Sequence, residues 1–212
     1  MFVVNIIIKR QKMLEILQYD FIQNALIAGV LISIAAGIIG SLVVVNKITF
    51  LTGGIAHSSY GGIGLAIYTG IPVLFGATVF AVITAIIIAI ITLKNRTRID
   101  AIIGMMWASG MAIGIIFVDL TPGYNVDLMS YLFGSIIAVS AEDIQYMTVL
   151  DIFIIGIVVY FYKEILAVSY DSEFATLRGI NVKFFYTLIL ILAALCVVAA
   201  IKAVGLILVI AL

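Results

Sequence analysis

The chain has 212 residues, with eleven Lys and Arg balancing eleven Asp and Glu; it is 65% hydrophobic and only 10% charged, and its mean hydropathy is +1.34. Soluble domains carry about 25% charged residues, so these few charges cannot cover a water-soluble globule, and a soluble enzyme or a basic nucleic-acid binder is excluded. With one cysteine, Cys196, and one histidine, His57, an internal disulfide and a structural zinc site built from several such ligands are excluded as well.

What remains is an all-α, polytopic membrane protein, each span needing about 20 apolar residues. In chain order the apolar runs predict spans over 21–45, 54–70, 72–93, 101–118, 144–162 and 184–201. The second is the weakest by hydropathy, and Pro72 falls at the start of the third, where a missing N–H costs nothing. A last run, 203–212, is still apolar where the sequence stops. Ten residues cannot cross a bilayer as a helix, so the expectation is six full spans plus a truncated one, in a single transmembrane domain over 1–212 with C-terminal elements missing. Between the fourth and fifth spans, DLTPGYNVDLMSYLFGSIIAVSAED (119–143) opens with turn chemistry and carries four acids and no Lys or Arg. Its apolar centre predicts a helix lying at the interface or re-entering partway.

Lys and Arg set the orientation. If the spans alternate, one set of loops holds Lys47, Lys94, Arg96, Arg98, Lys163, Arg178 and Lys183, seven in all, and the other holds Lys9, Arg10, Lys12 and Lys202, four in all. The first set is therefore expected inside, which places the N-terminus and 119–143 outside and 163–183 inside. A translation start at Met13 would remove 1–12 from the mature chain and with them three of the four outside cations.

Two segments carry chemistry. DSEFATLRGINVK, Asp171 to Lys183, sits in the longest inside loop. Asp171 or Ser172 can cap a helix whose first turn holds Glu173. Phe174, Ala175 and Leu177 give it a small apolar face, Arg178 falls in its last turn, and Gly179 suits a left-handed end. Such a knob fits docking of a soluble partner; a solvated connector is the plainer reading. TGGIAHSSYGGIGLA, Thr52 to Ala66, holds Gly53, Gly54, Gly61, Gly62 and Gly64 beside His57, Ser58 and Ser59. Glycines so dense suit close backbone packing or a broken helix in a bundle. Ala25/Gly29, Ala36/Gly40 and Gly110/Gly114 are further small-residue pairs at packing distance. Ionisable groups inside a membrane are functional candidates, and His57 is one; a neutral, hydrogen-bonded imidazole is the plainer alternative. Asp151 and Lys202 are expected at the interfaces, and Trp107, Tyr160 and Tyr162 as packing or interface anchors. No catalytic constellation is present: His57 and Ser58 are adjacent and leave a helix about 100° apart. No phosphate-cradling Gly-rich loop with Lys is present either, so the chain is not expected to be an enzyme.

The order of these features resembles the membrane permeases of ABC importers, in particular the zinc/manganese/iron-type permease family, over about 21–212. GGIAHSSYGGIGLA is similar to that family's His-containing, Gly-rich stretch, and YLFGSIIAVSAED to the external Gly-Ser segment of importers of this fold. DSEFATLRGINV resembles the cytoplasmic coupling helix, matching D-x-x-x-A-x-x-x-G-I at Asp171, Ala175, Gly179 and Ile180. VGLILVIAL resembles the start of a late span. The resemblance implies a type II importer-like, homodimeric permease, with about eight spans of some 20 residues when complete, in the cytoplasmic membrane of a prokaryote. It implies a cytoplasmic ATP-binding subunit docked on Asp171, Glu173, Ala175, Arg178 and Gly179, and an extracellular metal-binding protein as a second partner. It also implies a divalent metal as cargo, with no tightly bound cofactor. His57, Ser58, Asp119 and Asp127 are then the candidate pathway residues. One departure stands out: the acid usual four residues before the His is here Gly53. A cobalamin, haem or siderophore importer permease and a secondary transporter are the rival expectations.

Overall fold

The computed structural model describes residues 18–94, 99–122 and 134–205. The elements, in order, are α1 (Asp20–Val45), α2 (Thr49–Ser58), α3 (Tyr60–Thr69), α4 (Val73–Lys94), α5 (Ile99–Asp119), a 3₁₀ turn (Ile136–Ala138), α6 (Ala141–Tyr160), α7 (Tyr162–Tyr170), α8 (Ser172–Leu177) and α9 (Val182–Val204). The described residues hold no strand, and five helices, in α1, α4, α5, α6 and α9, are long and apolar enough to cross a membrane.

The predicted second span is present as two ten-residue helices, α2 and α3, that meet at Ser59. The serines explain the break. Ser58 Oγ donates to the Ile55 carbonyl at 3.0 Å and Ser59 Oγ to the Ala56 carbonyl at 2.6 Å, and such back-bonding loosens the helical ladder and bends it. Laid end to end, residues 49–69 still reach about 30 Å at 1.5 Å per residue, the thickness of a hydrocarbon core.

The core helix is α9. Buried residues cover 72% of its apolar window, against 17–39% in the other four spanning helices, and a helix buried all round belongs at the centre of a bundle. Helices α1, α4, α6 and α2 pack on it, while α2 and α3 lie in the groove between α4 and α5.

Each end of the bundle is fixed by polar ties. At one end, Asn24 Nδ2 donates to the Val139 carbonyl at 3.3 Å. There the Ser135 N–H also reaches the Lys202 carbonyl at 3.2 Å, and Tyr146 bonds Thr78. At the other end, Asn46 Nδ2 donates to Ser169 Oγ at 2.9 Å, joining the end of α1 to α7. Residues 134–143 and 171–179 thus lie at opposite ends, as the expected topology requires.

Two expectations are corrected. The described part of 119–143 holds one exposed 3₁₀ turn, Ile136–Ala138; residues 123–133, and with them much of the expected interfacial helix, lie outside the described residues. The fifth span starts earlier than hydropathy indicates, because Ser140 and Asp143 form a capping box that launches α6 at Ala141. That start puts Asp151 midway along α6 and 3% exposed, inside the span and away from the interface. Lys202, by contrast, lies in the last turn of α9. The segments 1–12 and 206–212, and with them Met13, fall outside the described residues.

Candidate functional site

The site is built where the broken span meets α5. Its geometry follows from what the glycines lack. A Cβ on Gly61 would lie 2.7 Å from the Phe80 ring and 2.9 Å from the Gly110 carbonyl oxygen. One on Gly62 would overlap the Gly76 carbonyl, and one on Gly64 the Gly114 carbonyl. One on Gly54 would overlap the Ile103 side chain. From the other side, a Cβ on Gly110 would lie 2.5 Å from Ser58 Cα, and one on Gly114 2.5 Å from the Tyr60 carbonyl oxygen. Backbone therefore touches backbone along α2, α3, α4 and α5, which is how small residues hold helices together in lipid. The expected pair Gly110/Gly114 takes part. Ala36/Gly40 does not: a Cβ on Gly40 would meet open space, and both residues line a cavity of about 90 Å³ together with Thr49, Thr52 and Cys196. Gly53 is buried on α2.

This close approach lays His57 flat on Trp107, ring centroids 4.0 Å apart and planes 5° from parallel. His57 is 7% exposed, and its Nδ1 is buried with no hydrogen-bond partner. Trp107 Nε1 in turn donates to Met111 Sδ, one turn along α5, at 3.1 Å. Trp107 thus packs within the bundle, and what it packs on is the candidate ligand. Fifty positions separate the two residues, and no local pattern could have joined them. Ser58 is fully buried and faces Gly110, with its hydroxyl committed to the Ile55 carbonyl. Asp119 ends α5, exposed at the opposite end of the bundle from α8; Asp127 lies outside the described residues. Among the described residues no three His, Cys, Asp or Glu side chains converge to hold a metal ion.

At the other end, α8 is shaped as its sequence suggested. Asp171 Oδ1 accepts from the N–H groups of Glu173 and Phe174 at 3.0 and 2.9 Å. The Ile180 N–H reaches the Ala175 carbonyl and the Gly179 N–H the Thr176 carbonyl, both at 3.0 Å, with Gly179 at φ 79°. That is the double-bonded glycine ending of a helix. Ala175 is fully buried and roots the helix, while Glu173, Leu177 and Arg178 stand in solvent. The Arg178 guanidinium lies over the Phe174 ring, 4.9 Å from its centre. The sequence reading missed α7, which carries α8 outward; its buried Ile165 and Val168, three apart, were the available signal.

Known proteins share this architecture. The chain is 46% identical over 202 residues to an uncharacterised membrane protein of Synechocystis, covering 95% of this chain and 72% of that protein. It is 40% identical over 182 residues to a probable metal transport system membrane protein of Chlamydia trachomatis, covering 83% of this chain and 62% of that protein. Against the manganese transport system membrane protein MntC of Listeria monocytogenes it is 33% identical over 196 residues, covering 92% and 70%. The solved structure of PsaBC from Streptococcus pneumoniae in complex with Fab matches with a TM-score of 0.82 and 31% identity, over 95% of this chain and 73% of that one. The ABC 3 transport family pattern matches residues 18–212. With the pattern running over the broken span, residues 134–143 and the capped knob alike, the chain belongs to the ABC 3 transport family, membrane permease subunits of ATP-binding-cassette transporters.

Proposed function

We propose that the chain is the transmembrane permease subunit of an ABC importer that moves a divalent metal ion, of the zinc, manganese or iron class, across the cytoplasmic membrane. The observation that carries this reading is the placement of its single imidazole. His57 sits at the break of a glycine-packed span, 7% exposed and with Nδ1 unpartnered, and intramembrane ionisable groups mark substrate paths. The names of the chlamydial and Listeria relatives support a metal as cargo.

The seven-to-four bias of Lys and Arg supports a cytoplasmic position for α8. The ATP-binding subunit docks there, on the exposed Glu173, Leu177 and Arg178. A metal-binding protein delivers cargo at the opposite end, near Asp119, and two copies of the permease flank the path. ATP-driven movement of α8 then switches access. One imidazole with Gly53 in place of a carboxylate one turn before it holds a cation loosely, and conduction needs sites that release as readily as they bind. The chain itself hydrolyses nothing.

The test is uptake of radiolabelled manganese, zinc and iron by cells carrying the complete permease and its partners, with His57→Ala beside wild type. ATP-dependent uptake of one metal that the variant loses is the expected result. Uptake of no metal would transfer the proposal to a chelate or cobalamin importer.

A further inference from the structure

We infer that Trp107 is the positioning residue of the transport path: it orients His57 for an incoming cation and so sets the affinity for first-row divalent metals. The inference rests on His57 lying on that path. The position one turn before His57, where a second ligand could stand, is Gly53, and among the described residues no three His, Cys, Asp or Glu side chains gather to hold a metal ion. What the imidazole meets is the indole. Lying 4.0 Å away and within 5° of parallel, it closes one face of the imidazole and fixes its plane. The indole is itself held twice over. Its Nε1–H is given to Met111 Sδ, and α5 is locked to α2 on either side of Trp107 by the contacts of Ile103 with Gly54 and of Gly110 with Ser58.

Chemistry follows from that arrangement. A clamped imidazole can take a cation only in its own plane, through a nitrogen lone pair, and Nδ1 is buried there without a partner. Ligating a cation puts positive charge on the imidazole, and the negative face of an indole favours that charge. A nitrogen donor backed by an aromatic face suits manganese, iron or zinc; magnesium and calcium prefer oxygen ligands.

The experiment uses the complete permease with its ATP-binding and metal-binding partners in proteoliposomes, reading KM and Vmax for manganese and zinc uptake. Trp107→Leu is expected to raise KM about three- to tenfold, the range an aromatic stack is worth, with little change in Vmax. Trp107→Phe, which keeps a ring face, is expected to stay near the wild-type KM. In a His57→Ala background Trp107→Leu is expected to add nothing, since the pair acts as one unit. If Trp107→Leu does not assemble, Met111→Leu, of nearly equal volume, carries the test by freeing the indole, and a raised KM is expected. A wild-type KM in Trp107→Leu, or in Met111→Leu where that variant stands in, while His57→Ala raises KM overturns this inference alone. So does an equal effect of Trp107→Leu with and without His57. A wild-type KM in His57→Ala overturns the path assignment and this inference with it.

Discussion

Lys202 Nζ lies 3.6 Å from Asp143 Oδ2, so the last turn of α9 is tied to the first turn of α6. The two ends of this tie are unequal. The same carboxylate oxygen accepts from Ser140 N–H at 2.9 Å and from Ser140 Oγ at 2.8 Å, closing the capping box.

Asp143→Ala is therefore expected to destabilise by about 1–2 kcal/mol, the worth of a lost cap plus a weak ion pair. Lys202→Met is expected to cost under about 1 kcal/mol, since partly exposed pairs contribute little. Thermal unfolding in detergent, run side by side, checks the ranking. Equal losses would mean that the ion pair, and not the cap, holds this end.

The glycine contacts predict a sharp contrast along the chain. Gly62→Ala and Gly64→Ala place a Cβ against the carbonyls of Gly76 and Gly114, where backbone cannot yield as a side chain would. Each is expected to cost at least the roughly 1–3 kcal/mol of an overpacked core. Gly40→Ala and Gly156→Ala meet open space and are expected to stay within about 0.5 kcal/mol of wild type. Melting temperatures and expression levels of the four variants decide it.

Asp151 predicts a stabilising substitution. Both of its carboxylate oxygens are buried without a hydrogen-bond partner, halfway along α6. An acid at mid-membrane costs about 2.5–3.5 kcal/mol on insertion scales. Asp151→Val, close in volume, is expected to raise stability by about 1–3 kcal/mol, with the gain seen as a higher melting temperature. A lower melting temperature would show that the carboxylate is doing structural work.

At α8, the caps and the exposed face separate folding from docking. Asp171→Ala and Gly179→Ala are each expected to loosen this short helix by about 1–2 kcal/mol, the first through two lost N–H bonds and the second through a φ of 79° that a Cβ opposes. Global melting should barely move, because α8 is a six-residue helix rooted by Ala175 alone among its residues. Coupled uptake and co-purification of the ATP-binding subunit should fall in both, and in Glu173→Ala and Arg178→Ala. Unchanged docking in all four would remove the assignment of α8 as the docking helix.

How much of this was legible depended on sequence distance. The knob 171–179 was legible as a short capped helix ending at Gly179, because a cap and a left-handed glycine act within one short segment; that Asp171 and not Ser172 caps it, and that Ala175 alone of its apolar residues is buried, depended on packing. The glycine-rich span was legible as closely packed or broken from its five glycines; the break at Ser59, and the bonds of Ser58 and Ser59 to carbonyls three residues back, were not. What the sequence hid is what α5 brings: Trp107 against His57, Gly110 against Ser58. Asp151 was misplaced because hydropathy put the helix start at 144, whereas the Ser140–Asp143 box starts it at Ala141 and carries the acid inward.

The backbone contacts among α2, α3, α4 and α5 have a mechanical consequence. Interlocked side chains can slide by changing rotamers; a Gly62 face pressed on the Gly76 carbonyl, or a Gly64 face on that of Gly114, has no rotamers to change. These four helices must therefore travel as one plate, carrying His57 and Trp107 with them. Relative motion is left to the seams that side chains fill, along α9 and between α1 and α6. Asn46, bonded to Ser169 at 2.9 Å, ties the end of α1 to α7, so a displacement of α7 would reach α1 through that bond, on the side of the bundle that can shear.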